Sequence, residues 1–274
     1  MLYLLNQPLP LATPMITLLT DFGLEDIYVG VMKGVIAGIH PQAHVIDLTH
    51  QIPPQNIALG SFQLGNAYPH FPPGTIHVAV VDPGVGSHRR AIAIQMPSGI
   101  LIGPDNGLFS HVLQYEDAIS AVELTNSQYW YSTQPSNTFH GRDIFAPAAA
   151  YLAKGLSLQV MGPEVPLSAL TALSNIFTWQ PTPNGGTGNI QAIDYFGNLI
   201  TNIPASEVQH ISWSLQIDQH HIHSTTSYTT EEAYPTLKAL VGSHGWLEIA
   251  LPNGSAHHIL NSKIGDPVEL HLNP

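Results

Sequence analysis

Three short apolar runs, MITLLT (15–20), AHVIDLT (43–49) and TIHVAVV (75–81), are each separated by a stretch long enough for a helix. In the first interval Ile27, Val31, Val35 and Ile39 recur every four residues, which predicts one face of a helix starting near Asp26. In the second, Pro53 and Pro54 open a segment that predicts a helix from Gln55 to about Tyr68. The third run is apolar almost throughout, as a strand covered on both faces must be. Strand, helix, strand, helix, strand in 81 residues leaves one economical solution, an α/β layer with a largely parallel sheet.

The pattern continues with AIAIQM and ILIGP as a hairpin around Pro97, Ser98 and Gly99, a helix starting near Asp105 to Gly107, and ISAVEL (119–124) as a strand. RDIFAPAAAYLAKG (142–155) predicts a helix that tolerates Pro147 in its first turn. The texture changes at TWQPTPNGGTGN (178–189), where proline, glycine and small polar residues predict a linker. Beyond it, short alternating runs such as NIQAIDY, NLITNI, SWSLQID, WLEIAL and PVELHL predict an antiparallel barrel or sandwich. The expected division is an α/β domain over 14–178 and an all-β domain over 189–274.

Composition narrows the function classes. The chain of 274 residues is 44% hydrophobic and 9% charged, which suits a folded core rather than a disordered chain. Nineteen acidic residues against seven basic ones give a net charge of −12, so no basic stripe is available for nucleic acid. The absence of cysteine excludes disulfides and thiolate metal sites. The first 14 residues lack a basic n-region and are broken by prolines, so they read as a loose extension rather than a secretory signal. No apolar run approaches about 18 residues, so no membrane span is expected and the expected location is the cytoplasm.

The densest chemistry lies in VAVVDPGVGSHRR (78–90), which holds two of the three arginines. A phosphate loop would need GxxxxGK[ST] or GxGxxG, and both are absent; the acidic first turn, DFGLED, would repel a pyrophosphate. A metal site could draw on Asp82, His88, His140 and Asp143, but no HxH or HExxH spacing supports one. As an acid–base corner, Asp82 ends a central strand at the edge where open α/β sheets bind ligands. Arg89 and the histidine of FHGRD could converge with it on one water. The competing reading makes Asp82 a turn cap and Arg89 its structural partner. Asp21 similarly suits a ribose diol or a helix cap, and Asn106 and Asn198 suit tight turns. Phe139 and Phe196 suit either a nucleobase wall or the core.

Seven ordered segments sharpen these alternatives: LLTDFGLEDIYVGVMKG, VIDLTHQIPPQNI, FPPGTIHVAVVDPGVGSHRR, LIGPDNGLFS, FHGRDIFAPAAAYLAKG, IDYFGNLITNI and SHGWLEIALPNGSA. Together, from Leu18 to Ala256, they resemble the S-adenosyl-L-methionine hydroxide adenosyltransferase family, adenosine-forming hydrolases related to fluorinases and chlorinases. The resemblance implies a three-layer α/β N-terminal domain, a smaller β-barrel-like C-terminal domain and a homotrimer with the ligand between subunits. It implies S-adenosyl-L-methionine as substrate, adenosine and L-methionine as products, and no cofactor or metal. The water-activating set corresponds to Asp82, Arg89 and His140. The ribose carboxylate corresponds to Asp21, and the acidic residue near the methionine moiety to Asp26. Phe139 and Phe196 correspond to nucleoside walls, Asn198 to the adenine-reading asparagine, and Asp194 and Ser243 to contacts at the amino-acid end. Arg90 is implied to be an ordinary surface or structural residue.

Two departures bear on the rival functions. The halogenating relatives carry a tyrosine and a small polar residue where this chain has Asp82 and Gly141, and only residues 97–99 stand where fluorinases insert a long loop. His244 replaces an arginine of the halogenating relatives beside Ser243. The alternatives left by the sequence are chlorinase-like halide alkylation, a binding module for S-adenosyl-L-methionine or adenosine without turnover and, weakest, a metal-dependent hydrolase.

Overall fold

A computed structural model describes residues 15–173, 178–229 and 235–273; the N-terminal extension expected over 1–14 lies outside them. The chain divides into two compact units on either side of residues 173 and 174.

The first unit contains β1 (Met15–Thr20), α1 (Tyr28–Ile39), β2 (His44–Thr49), α2 (Ile57–Ala67), β3 (Thr75–Val80), β4 (Ala91–Gln95), β5 (Gly99–Pro104), α3 (Ser110–Tyr115), β6 (Ser120–Glu123) and α4 (Ala146–Ala153). Its sheet runs β2-β1-β3-β5-β4-β6. The first four strands of this order are parallel; β4 pairs antiparallel with β5 on one side and with β6 on the other. Both central strands bury their faces: β3 is buried throughout, and only Met15 of β1 is partly exposed. One apolar cluster joins one sheet face to Met32 and Ile36 of α1 and the alanines of α4. A second joins the opposite face to Leu64 of α2 and Val112 of α3. These are the three layers expected.

Several local expectations need correction. The buried stripe of α1 is Val29, Met32, Val35 and Ile36, whereas Ile27 is 76% exposed. A strict four-residue step drifts around a 3.6-residue helix, so it follows the packed face for only part of its length. Helix α2 begins at Ile57, capped by Asn56, whose side chain accepts from the Leu59 N–H at 3.0 Å. The third helix starts at Ser110, later than Asp105 to Gly107. The segment after Gly141 opens as a π-helical turn, Gly141–Phe145, before α4, with Pro147 in the first turn of α4.

The second unit contains β7 (Gln180–Thr182), β8 (Gly185–Ile193), β9 (Leu199–Pro204), β10 (Ser212–Ile217), β11 (His220–His223), β12 (Lys238–Val241), β13 (Trp246–Ala250), α5 (Ala256–Leu260) and β14 (Pro267–Asn273). The antiparallel order β11-β10-β14-β8-β9-β13-β12 is brought near closure by a bridge between Ser224 and Ala239. Its interior holds Ile190, Leu199, Trp213, Leu215, Leu247 and Ile249. The expected linker over 178–189 is instead a hairpin, with β7 paired to the start of β8. Gly186 permits this because a Cβ there would sit 2.4 Å from the Gln180 carbonyl oxygen of β7. Here the glycines mark close strand approach rather than a flexible connection.

Among the described residues, no helix is long and apolar enough to cross a membrane.

Candidate active site

Parallel pairing of β1 with β3 sets their C-terminal ends side by side, so Asp21 and Asp82 emerge at the same sheet edge. This is the edge at which the sequence placed a ligand.

After Asp82 the chain turns back on itself. The Val85 N–H bonds to the Asp82 carbonyl at 3.2 Å, and Ser87 ties to Gly84 through its N–H at 3.1 Å and its hydroxyl at 2.7 Å. Gly86 has φ +76°, and a Cβ there would lie 2.3 Å from the Asn137 carbonyl oxygen, so side-chain space and backbone angle both require glycine. The turn brings Arg89 back onto Asp82. Its Nε donates to Oδ1 at 2.9 Å and Oδ2 at 3.1 Å, and its Nη2 donates to Oδ2. The same Nη2 donates to Nδ1 of His140 at 2.7 Å. The three residues that the resemblance brought together by motif therefore meet in space. Arg89 lies between the other two, 5.5 Å above the Phe145 ring, with 10% of its side chain exposed and 4% of that of Asp82.

This arrangement fixes a tautomer. A guanidinium only donates, so His140 Nδ1 accepts and the ring proton of neutral His140 resides on Nε2. Burial and the neighbouring Arg89 charge push the His140 pKa down, which favours that neutral form, against smaller opposing effects of Asp82 and Asp143. His140 is held by the π-helical turn that follows it. Within that turn Asp143 accepts from the Ser136 N–H at 2.8 Å and pairs with Arg142, whose guanidinium faces the Phe139 ring at 5.4 Å. Phe139 also packs edge-on against Phe22 and Tyr28, so it lies within the same aromatic group as the Asp21 turn.

Asp21 accepts one bond, from the Gln55 N–H to Oδ2 at 2.8 Å, leaving Oδ1 without a partner among the described residues. Gln55 adopts φ +66°, a costly conformation for a residue with a Cβ, and this is why α2 starts two residues later than its prolines suggested. Asp26 is exposed just before α1. Asn106 is a turn residue: its amide donates to the Val81 carbonyl at 2.9 Å and holds the end of β3. Arg90 points elsewhere, to Asp105 and the Ala169 carbonyl, and so braces the segment that ends the first unit.

The second unit presents its own group. Asp194 Oδ1 accepts from the backbone N–H groups of Phe196 at 2.9 Å and Asn198 at 2.8 Å, and Oδ2 accepts from the Asn198 amide at 2.8 Å. The carboxylate thus holds a tight turn whose tip exposes Tyr195 at 96% and Phe196 at 73%. Ser243 is exposed on the β12–β13 turn. Beside it, His244 has both ring nitrogens engaged, Nε2 with Glu248 at 2.9 Å and Nδ1 with the Trp246 N–H at 3.2 Å. It therefore does not present a donor outward as an arginine would.

The donor set at the Asp82 corner is poorly suited to a cation, because a guanidinium stands between the carboxylate and the imidazole. His88 is exposed and Asp143 is engaged by Arg142. Among the described residues no group of three or more His, Cys, Asp or Glu side chains is placed to hold a metal ion.

Sequence reasoning missed Thr20, His50 and Gln55 as supports of the Asp21 turn. Their contacts depend on a strand irregularity and a left-handed residue, neither of which has a sequence signature.

A carboxylate, a guanidinium and an imidazole thus meet at the carboxyl edge of a parallel sheet. The chain belongs to the SAM hydroxide adenosyltransferase family, whose N-terminal domain model matches residues 16–162 and whose C-terminal domain model matches 188–269. A relative from Salinispora arenicola named (R)-S-adenosyl-L-methionine hydrolase is 39% identical over 94% of this chain and 98% of its own. A fluorinase from Actinoplanes sp. is 28% identical over 72% of this chain and 74% of its own. The crystal structure of an uncharacterized conserved protein from Thermotoga maritima, 34% identical, superposes with a TM-score of 0.87 and covers 94% of this chain and 100% of that one.

Proposed function

We propose that the protein hydrolyses S-adenosyl-L-methionine at C5′, giving adenosine and L-methionine, with the (R)-sulfonium named in its relatives as the preferred epimer. The observation that carries this reading is the contact of Arg89 with both Asp82 and His140. In the proposed reaction a water oxygen forms a bond to C5′ as the C5′–S bond breaks. The sulfur leaves with the bonding pair as a neutral thioether and needs no general acid. The oxygen that has added carries an extra proton, and this is the proton the site must remove.

The His140 tautomer supports the following roles. His140 Nε2–H donates to the water and orients it. Asp82 accepts the water's proton through Oδ1, which takes a single bond from Arg89 and so keeps acceptor capacity. Arg89 holds the pair in register and offsets negative charge developing on the nucleophile. Fixing the water in line with the C5′–S bond removes most of the entropic cost of a bimolecular step. Asp21 accepts the ribose hydroxyls through its unpartnered oxygen, with Phe139 and Phe196 as nucleoside walls and Asn198 reading adenine. Asp26, Asp194 and Ser243 serve the amino-acid end. Halide alkylation is disfavoured because the Asp82 carboxylate would face the incoming anion. The proposal includes a homotrimer that shares ligand between subunits, a cytoplasmic location, and turnover without metal or cofactor.

The test is to incubate purified protein with each sulfonium epimer, with and without EDTA and chloride, and to separate the products. Adenosine plus methionine, faster from the (R) epimer and unaffected by EDTA, is expected. A chloroadenosine product would replace this reading with the halogenating one, and bound but intact substrate would leave a binding module.

A further inference from the structure

Asp21 stands on a turn whose backbone is held by the last residue of β1 and by the residue that follows β2. The Phe22 N–H donates to Thr20 Oγ1 at 3.2 Å, and the Gly23 N–H donates to the His50 carbonyl at 2.8 Å. Thr20 Oγ1 also meets His50 Nδ1 at 2.9 Å. The His50 Nε2 has no in-line acceptor and lies 3.0 Å from Asp47 Oδ1, while Lys33 of α1 reaches Asp47 Oδ2 at 2.6 Å. Thr20 is fully buried and His50 is 3% exposed.

The register of β2 makes this convergence possible. Along β1 the pairing advances from Leu18 opposite Asp47 directly to Leu19 opposite Thr49, so β2 carries one extra residue at this point. In an even strand, residues three apart face opposite sides of the sheet. The bulge cancels that alternation and lets Asp47 and His50 face one another, which is how a bulge re-aims a side chain beside a site.

The neighbouring strand pair provides an internal contrast. Thr17 Oγ1 meets His77 Nδ1 at 2.9 Å, the same pair of groups nearer the other end of β1. There His77 is packed against the rings of Tyr68 and Phe71. Burial lowers the His77 pKa to about 4, and among the described residues no carboxylate or lysine joins it. A Thr–His pair that only fills the sheet interior needs nothing more. The pair next to Asp21 is extended through a carboxylate to a cation on α1. Burial pushes the Asp47 carboxyl up, but the bond from Lys33 and the close approach of the His50 imidazole outweigh it and hold the carboxyl below its usual range.

We propose that Lys33, Asp47, His50 and Thr20 form a positioning set that fixes the Asp21 turn for the ligand's vicinal hydroxyls. The proposal rests on the Asp21 role given under Proposed function. The set touches no reacting atom: Thr20 and the His50 carbonyl hold the turn's two N–H groups, Thr20 holds the imidazole through Nδ1, and Asp47, itself held by Lys33, sets its charge 3.0 Å from Nε2. Disturbing it should weaken the part of binding that depends on the diol and leave the rest intact.

Calorimetry with adenosine and 2′,3′-dideoxyadenosine on the full chain separates these contributions. The wild type should prefer adenosine by about 10- to 100-fold, the worth of one or two hydrogen bonds to a charged group. Thr20→Val should reduce that preference by about 10-fold, Asp47→Asn by about 3-fold, and Thr20→Ser should restore it, with dideoxyadenosine affinity unchanged in all three. Asp47 is 36% exposed, so Asp47→Asn carries the test if Thr20→Val does not fold. Variants that keep the full wild-type preference, or that weaken both ligands equally, would overturn the positioning role. A wild type that binds both nucleosides equally would instead overturn the Asp21 role on which it rests.

Discussion

The ends of β1 and β3 are neighbours in one parallel sheet, and each passes into a carboxylate followed two residues later by glycine. Their environments then diverge. Asp82 receives a guanidinium returned by its own loop, which engages both oxygens and ties it to His140. Asp21 receives a single backbone N–H, from Gln55 on a different loop. The difference shows that strand position places a carboxylate at the carboxyl edge of the sheet, while the connection that follows decides its surroundings. A carboxylate paired with a guanidinium and an imidazole is equipped to manage a proton. One with an unpartnered oxygen is equipped to accept neutral hydroxyls.

Substitutions should separate the two ends. The largest effect is expected for Asp82→Ala, with kcat reduced by about 10³-fold or more and adenosine affinity changed less than about 3-fold; steady-state kinetics and calorimetry read the two. Near wild-type turnover would remove Asp82 from the chemistry. Arg89→Lys keeps the charge but loses the fork that reaches Asp82 and His140 together, and should lower kcat by about 10²-fold. At the other end, Asp21→Asn should raise KM by about 10-fold while moving kcat less, since a neutral amide is a weaker acceptor for the diol. A kcat loss as large as that of Asp82→Ala would erase the distinction.

A pH profile sharpens the Asp82 end further. Nδ1 of His140 can accept from Arg89 only while the ring is neutral, and its pKa lies below the ordinary value. Protonation on acidification should break that contact, so kcat should hold steady down to about pH 6.5 and fall only below it. An acid limb centred above that value would contradict the assigned tautomer. The smallest effect on catalysis is expected for Arg90→Gln. It should leave kcat within about 2-fold and lower the melting temperature by several degrees, because Arg90 braces Asp105 and the Ala169 carbonyl. Thermal melts alongside kinetics check both.

Much of this was legible in the sequence because it rests on periodicity and local order. The apolar runs at β1, β2 and β3 and the alternating runs after residue 189 carry the two architectures. The motif VAVVDPGVGSHRR places Asp82 and Arg89 seven residues apart across a glycine turn, close enough for a local reading to pair them. The support of Asp21 was not legible. It needs the extra residue in β2 and the left-handed Gln55, and both are outcomes of tertiary packing. The hairpin over 178–189 was misjudged for a related reason: glycine signals backbone freedom and close approach alike, and only the neighbouring strand distinguishes them. Asp194 shows a third limit: its part in closing the turn from 194 to 198 has no signature in sequence order.

The most direct measurement is a single-turnover reaction in ¹⁸O-labelled water, with enzyme in excess over (R)-S-adenosyl-L-methionine. If a water held by Asp82, Arg89 and His140 attacks C5′, the 5′-hydroxyl of adenosine carries one labelled oxygen and methionine carries none. Unlabelled adenosine, or label in methionine, would contradict the account.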